Sequence, residues 1–295
     1  MIVKDFKIGI IGGGKVGGLL AKYCIKHRRL AWIVTNNQDL LADVDSDLRS
    51  SFGIYNQIND LTYLPEVIIF AVKDDNYKEK IENLRNCFTN KLSEKYIFHV
   101  SGTLNKNILY NLENLGATIA ACHPFQTFYY PELKLLENVP WGIDCKKENY
   151  EEFGKIIEFF AGKPIILNEF TLERKVLYHL TAVITSNYLT ALISYANEIA
   201  KLSGINGSEF IPVILRQTAE NCIRALDENV MPMTGPIARG DINTVISQLN
   251  HLKINEQLMS QFKSLTQFAL EMAFNNNFID EDKYKLFLNQ IDENS

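Results

Sequence analysis

Lys175 and His179 stand one helical turn apart in a stretch otherwise made of Leu, Ile, Val, Ala and Tyr. At about 100° per residue, Lys175, His179, Ser186, Thr190 and Asn197 fall within roughly 60° of one another around a helix. A solvent-facing stripe of that length would carry several Glu and Lys. His, Ser, Thr and Asn dominate instead, so the stripe reads as the wall of a polar cleft. His179 is the natural acid–base group, because imidazole is the side chain whose ordinary pKa lies nearest neutrality. Lys175 could do the same work if its pKa is depressed, or hold a substrate carboxylate. A core histidine with a satisfied hydrogen bond and a solvated lysine are the plainer alternatives.

A second constellation lies near the N-terminus. Lys7–Ile8–Gly9–Ile10–Ile11 reads as a strand that runs into Gly12–Gly13–Gly14–Lys15–Val16–Gly17, and a helix follows at once. This is GxGxxG in the context that makes it a dinucleotide fingerprint. Gly12 makes the tight turn, Gly14 lets the backbone approach a pyrophosphate, and Gly17 lets helix and strand pack closely. The N–H groups at the helix start, including those of Lys15 and Val16, then face the phosphates. An NAD-binding chain usually ends its second strand with Asp or Glu for the ribose hydroxyls. Here that strand ends Thr35–Asn36–Asn37, and the first acid is Asp39. The expectation is NADP(H) rather than NAD(H), although the Arg often found beside a 2′-phosphate is absent.

Other turns at strand ends should line the same crevice: Ala71–Val72–Lys73–Asp74, His99–Val100–Ser101–Gly102, and Cys122–His123–Pro124–Phe125–Gln126–Thr127–Phe128. Ala71, Val72, Lys73, Ser101 and Gly102 are therefore candidate cofactor contacts, and Ser101 and His123 candidate substrate contacts. Ser101–Gly102 could equally be ordinary turn chemistry. A Gly- and Pro-punctuated loop at 231–241 carries Arg239, which suits bidentate binding of a carboxylate or phosphate. A plain turn, with Asp241 capping the next helix, is the competing reading.

The elements that must position these residues are legible in outline. Short apolar runs at 7–11, 31–35, 67–72, 96–100, 118–122, 141–143 and 164–167 alternate with helical spacing at 16–26, 76–88 and 150–160. That alternation predicts a doubly wound, largely parallel α/β sheet over 1–168. Beyond it the pattern is helical, opening with a long helix at 171–201 and broken at 204–207, 231–240 and 275–277, so 169–295 is expected to be all-α. Residues 176–195 carry no charge and could span a bilayer by length. Their His, Thr, Ser and Asn would be costly in lipid, so a helix buried between protein surfaces is the better expectation. The net charge of −5 over 295 residues, with Lys and Arg scattered, disfavours a nucleic-acid partner. Met1–Lys7 lacks the pattern of a signal peptide. The five cysteines contain no CxxC pair, so reduced thiols of an intracellular, cytoplasmic protein are expected rather than a disulfide or metal framework.

Taken together, the GGGxxG turn, the His123–Phe128 HPxQTF segment, Tyr178–His179, Ser186–Asn187–Tyr188–Leu189 and Thr234–Gly235–Pro236–Ile237–Ala238–Arg239–Gly240–Asp241 resemble one family. It is the Rossmann-like NADP oxidoreductases whose C-terminal helical domain is of unknown function. That family is similar to the wider 6-phosphogluconate dehydrogenase-like group, which includes ketopantoate reductase and pyrroline-carboxylate reductase. The resemblance implies a homodimer formed through the helical domain, with substrate between domains. The main expectation is hydride transfer between nicotinamide and a small anionic carbonyl, imine or hydroxy acid, with Ser101 and Asn187 orienting polar groups and Arg239 holding the anion. Ketopantoate reductase and the β-hydroxyacid dehydrogenases place Asn one turn after the catalytic Lys. This chain has His179 there, so their substrates do not carry over. A non-catalytic NADP(H)-binding sensor is the alternative from another class.

Overall fold

The computed structural model describes residues 5–42, 44–167 and 171–293. Its contacts divide the chain into two units, Met1–Tyr188 and Leu189–Ser295. The first unit is built on eight strands: β1 (Ile8–Ile11), β2 (Leu30–Val34), β3 (Gly53–Tyr55), β4 (Val67–Phe70), β5 (Tyr96–His99), β6 (Thr118–Pro124), β7 (Pro140–Cys145) and β8 (Lys163–Ile166). Helices α1 (Lys15–Lys26), α2 (Ser46–Arg49), α3 (Tyr77–Phe88), α4 (Tyr110–Glu113) and α5 (Tyr150–Phe159) lie between strands, and α6 (Leu172–Ala182) follows β8. The sheet order is β3-β2-β1-β4-β5-β6-β7-β8. The first six strands are mutually parallel, β7 is antiparallel to β6, and β8 is parallel to β7.

Both faces of the sheet are covered, which is why the strands are continuous apolar runs rather than alternating ones. Ile8 and Ile10 pack with Leu19, Leu20, Phe153 and Ile157 on one face. Ile11, Val34 and Phe70 pack with Ile81, Leu84 and Leu112 on the other. Burying an aliphatic side chain of this size contributes about 1.5–3 kcal/mol, so the central strands are pinned in register. β3 went unrecognised in the sequence because it is a three-residue edge strand, Gly-Ile-Tyr, too short for an apolar run.

The sequence reading placed the boundary at 168, which lies outside the described residues. The contacts carry the first unit on to Tyr188, because side chains of α6 seat against the sheet: Lys175 is fully buried, and the Tyr178 ring meets those of His123 and Phe125. The long helix runs from Leu172 to Leu202. It widens into a π-helical turn at Val183–Tyr188 and continues as α7 (Leu189–Leu202). By length and composition it could cross a membrane. It is not buried as expected: Val176, Leu177, Leu180 and Ile184 are exposed along it.

In the second unit the remaining elements are α7, α8 (Ile211–Glu228), α9 (Ile242–Leu252), α10 (Glu256–Asn275) and α11 (Glu281–Glu293). Val245, Leu270, Phe287 and Ile291 form its core. Asp241 caps α9, accepting from the Thr244 amide at 3.2 Å and its hydroxyl at 2.7 Å.

Candidate active site

β1 lies between β2 and β4, so the winding of the sheet reverses there and opens a crevice beyond the strands' C-terminal ends. The glycine turn sits at that point. Gly12 has φ +113°, which L-residues rarely adopt, and its amide donates to the Val34 carbonyl at 2.9 Å. A Cβ on Gly17 would lie 2.0 Å from the Gly12 carbonyl oxygen, so that glycine sets the approach of α1 to the turn. Nothing lies within 4 Å of the same position on Gly14, which caps the N-terminus of α1 and faces open space. The three glycines thus have the three different geometries that a pyrophosphate cradle requires.

A cleft of about 580 Å³ opens on this turn. Gly12, Gly14, Lys15 and Val16 form one wall, and Ala71, Val72, Lys73 and Ser101 belong to the other. Thr35 and Asn36 stand outside those walls. Thr35 is buried, its hydroxyl lies against Gly13, and it accepts from the Asn37 amide at 3.0 Å. Asn36, just beyond β2, is exposed.

Ser101 is used by its own turn. Its oxygen accepts from the amides of Thr103 at 3.2 Å and Leu104 at 3.1 Å, and lies 3.2 Å from the Thr103 hydroxyl, which in turn donates to Asp74. Below it, His99 is fully buried. Its Nδ1 accepts from the Ser101 amide at 3.2 Å, so Nε2 carries the proton and donates to the Asn105 carbonyl at 3.0 Å. Burial, and then the charge of Lys175, pushes its pKa down to about 3.

A second cleft, of about 500 Å³, shares Lys15 and Val16 with the first. His123 and His179 line it, with Phe125–Tyr129 on one side and Ser186 and Asn187 on the other. The two imidazole rings are 5.7 Å apart. Gly102 is the floor between them: a Cβ there would lie 2.1 Å from His179 Cδ2 and 2.9 Å from His123 Nε2. The glycine of the Ser101–Gly102 turn is therefore a packing requirement of both histidines. Burial, then the neighbouring His179 and Lys175, lowers the pKa of His123 to about 3, and its Nδ1 is buried without a hydrogen-bond partner. Tyr178 closes the edge of the pair, 5.7 Å from the His123 ring, and burial pushes its phenol up to about 12.

Lys175 does not reach this cleft. It is wholly enclosed, and its Nζ has no hydrogen-bond partner. Burial lowers its pKa to about 8, against the opposing pull of Asp144. Asp144, itself buried, spends its charge on Lys106 at 2.7 Å and on the Lys106 amide at 3.2 Å.

The polar stripe counted at a uniform helical period is therefore broken. Lys175 turns inward, His179 and Ser186 face the cleft, and Thr190 and Asn197 belong to the second unit. Lys175 and His179 diverge within α6 itself, before the π-helical turn, which shifts the angular count only for residues beyond Val183; within that turn Thr185 donates to the Thr181 carbonyl at 2.8 Å. Arg239 is exposed on the second unit, in the loop between Gly235 (φ +96°) and Gly240 (φ +70°), and is not among the residues that the first unit gathers around either cleft. Sequence reasoning missed Tyr178 and Tyr129 as parts of the site. Lys15 Nζ lies 4.0 Å over the Tyr129 ring where the clefts join. An aromatic-rich segment straight after a buried strand end was the signal that could have found Tyr129.

Residues 139–268 match a family model described as a domain of unknown function, DUF2520. No curated protein matches the chain. Among solved structures, a Bacteroides fragilis protein assigned as an NADP oxidoreductase is 19% identical with TM-score 0.72, over 90% of this chain and 98% of that one. Protein TM1727 from Thermotoga maritima is 22% identical with TM-score 0.64, over 90% and 97%. A reductive aminase from Aspergillus terreus, in complex with NADPH and ethyl-5-oxohexanoate, is 14% identical with TM-score 0.64, over 96% and 98%. The likeness establishes the fold of this chain: a Rossmann-type sheet domain followed by a helical domain.

Proposed function

We propose that the protein is an NADP(H)-dependent oxidoreductase that reduces a small carbonyl or imine, or oxidises the corresponding hydroxy compound. The observation that carries the reading is the continuity of two clefts of the first unit. A glycine cradle fitted to a dinucleotide pyrophosphate shares Lys15 and Val16 with a pocket lined by His179. Support comes from the fold, shared with a protein assigned as an NADP oxidoreductase and with a reductive aminase in complex with NADPH. The absence of an acid at Thr35–Asn36–Asn37 favours NADP(H) over NAD(H).

When bound, the nicotinamide supplies or accepts the hydride. His179 gives a proton to the carbonyl oxygen or imine nitrogen in reduction and takes it back in oxidation. Its place on the cleft wall favours it over the enclosed Lys175 for direct contact with substrate. Asn187, on the wall of the same cleft, orients the polar end of the substrate. We assign homodimerisation to the helical domain and place the protein in the cytoplasm.

The test is NADPH oxidation across a panel of 2-oxo acids, keto esters and cyclic imines, with His179→Gln beside the wild type. His179→Gln is expected to lower kcat by roughly 10²-fold while leaving NADPH affinity unchanged. Full turnover by His179→Gln would remove His179 from the role. Tight NADPH binding with no turnover on any compound would instead mark a sensor.

A further inference from the structure

Asp74, in the turn after β4, is the one acid among the described residues that line the cleft on the glycine turn, and it is exposed there. An Asp so close to the start of a helix would ordinarily cap it, but α3 has no side-chain cap. The carboxylate instead reaches across to the turn after β5, where Oδ2 accepts from the Thr103 hydroxyl. That bond fixes the direction of a short chain. Ser101 Oγ already accepts from the amides of Thr103 and Leu104 and stands 3.2 Å from Thr103 Oγ1. With the Thr103 proton given to Asp74, the Ser101 hydroxyl is the donor in that pair. Both hydroxyl protons therefore run toward Asp74, and the carboxylate ends the chain as a pure acceptor. Its Oδ1 has no hydrogen bond among the described residues.

Sheet order tells which half of a dinucleotide this oxygen would meet. The glycine turn follows β1, which lies between β2 and β4. The end of β2, with Thr35 and Asn36, takes the adenosine side. The nicotinamide side then lies over β4 and β5, whose ends supply Ala71, Val72, Asp74 and Ser101 to the cleft. Just past Ser101, Gly102 packs against His179 and His123 of the neighbouring pocket, so the reacting ring belongs at that end. The turn after β4 comes between, and what lies between pyrophosphate and nicotinamide in the cofactor is a ribose with vicinal hydroxyls. We propose that Asp74 Oδ1 accepts a hydrogen bond from a hydroxyl of the nicotinamide ribose, with Thr103 as the positioning residue that holds the carboxylate. An acceptor-only group matches a diol, which donates, and repels a phosphate, which keeps the pyrophosphate over the glycines. The chain thus lacks a ribose-binding acid at the end of β2 and carries one at the end of β4. The assignment rests on the reading of this cleft as an NADP(H) site.

Calorimetric titration of the full chain with cofactor and cofactor fragments tests this without turnover. Asp74→Ala should weaken NADPH binding by roughly tenfold or more, the loss expected of a charge-assisted hydrogen bond. Its affinity for 2′,5′-ADP, which has no nicotinamide ribose, should stay that of the wild type. An NADP+ analogue lacking both hydroxyls of the nicotinamide ribose separates direct contact from a merely structural role. The wild type should bind it more weakly than NADP+, again by roughly tenfold, whereas Asp74→Ala should bind the two alike. Thr103→Val, which keeps the carboxylate and removes its tether, should lose part of the same discrimination. Equal loss of NADPH and 2′,5′-ADP by Asp74→Ala, or undiminished discrimination by that variant, would overturn the assignment. If Asp74→Ala fails to fold, the isosteric Asp74→Asn takes its place, and a wild type that does not discriminate refutes the contact outright. A wild type that binds neither NADPH nor 2′,5′-ADP would remove the cofactor reading itself, and this assignment with it.

Discussion

An ammonium group withdrawn from bulk solvent opposes folding, and Lys175, wholly enclosed, carries that burden in this chain. Its pKa falls from 10.5 to about 8. The unfolded chain therefore binds more protons than the folded one between those two values, and stability rises with pH across that window. Below pH 8 the cost is fully present, on the order of 3 kcal/mol before relaxation. Lys175→Met is accordingly expected to raise the melting temperature at pH 6–7 and to flatten the rise seen in the wild type above pH 8. Differential scanning calorimetry across pH 6–10.5 checks both, and a variant less stable than wild type at pH 6 would refute the account. Two histidines act at the other end. His99 and His123 are pushed down from 6.5 to about 3. The unfolded state takes up their protons first, so stability is lost as pH falls from about 6.5 toward 3. His99→Gln should make that acid limb shallower in urea titrations at fixed pH.

Among the elements, the β1–α1 turn carries one glycine that the fold requires and another that only the proposed cofactor site would require. Gly17→Ala puts a methyl group 2.0 Å from a backbone oxygen, and should cost roughly 1–3 kcal/mol through strain. Gly14→Ala meets nothing within 4 Å, and should melt like the wild type yet bind NADPH more weakly. Thermal melts paired with NADPH fluorescence titration distinguish the two, and equal destabilisation by both would contradict the geometry. At the end of β2, Asn36→Asp introduces the acid that a 2′-phosphate repels. The ratio of NADPH to NADH affinity is expected to fall roughly tenfold or more. This turn was the most legible part of the site, because a strand, three spaced glycines and a helix are contiguous in the chain. Ser101 was legible only as a position: its hydroxyl is consumed by its own turn, a choice made by backbone geometry that composition does not encode.

At the scale of the whole molecule, apolar surface is left uncovered on both units. Leu177 is 63% exposed in the first, and Val213 and Leu226 are 68% and 83% exposed in the second. Isolated apolar residues are common on surfaces, but runs along helices mark places where another surface docks. The reading as a homodimer through the helical domain predicts a two-chain mass by sedimentation equilibrium, and Leu226→Glu should shift it toward the monomer. Partition of the wild type into phospholipid vesicles would instead assign the apolar helix to a membrane.

By itself, the sequence determined what depends on neighbours along the chain: the alternating strands and helices of the sheet domain, the glycine turn, the missing acid after β2, and the helical character of the second half. Each is a local pattern whose physical cause, periodicity or backbone freedom, lies within a few residues. Only the tertiary structure decided which polar residues share a pocket. It brought His123 of β6 and His179 of α6 to either side of Gly102, sent Lys175 inward to an enclosed site, and shifted the angular count of the long helix at the π-helical turn. Those outcomes depend on which surfaces pack together and on a one-residue change in helical winding, and neither is written in the spacing of residue types.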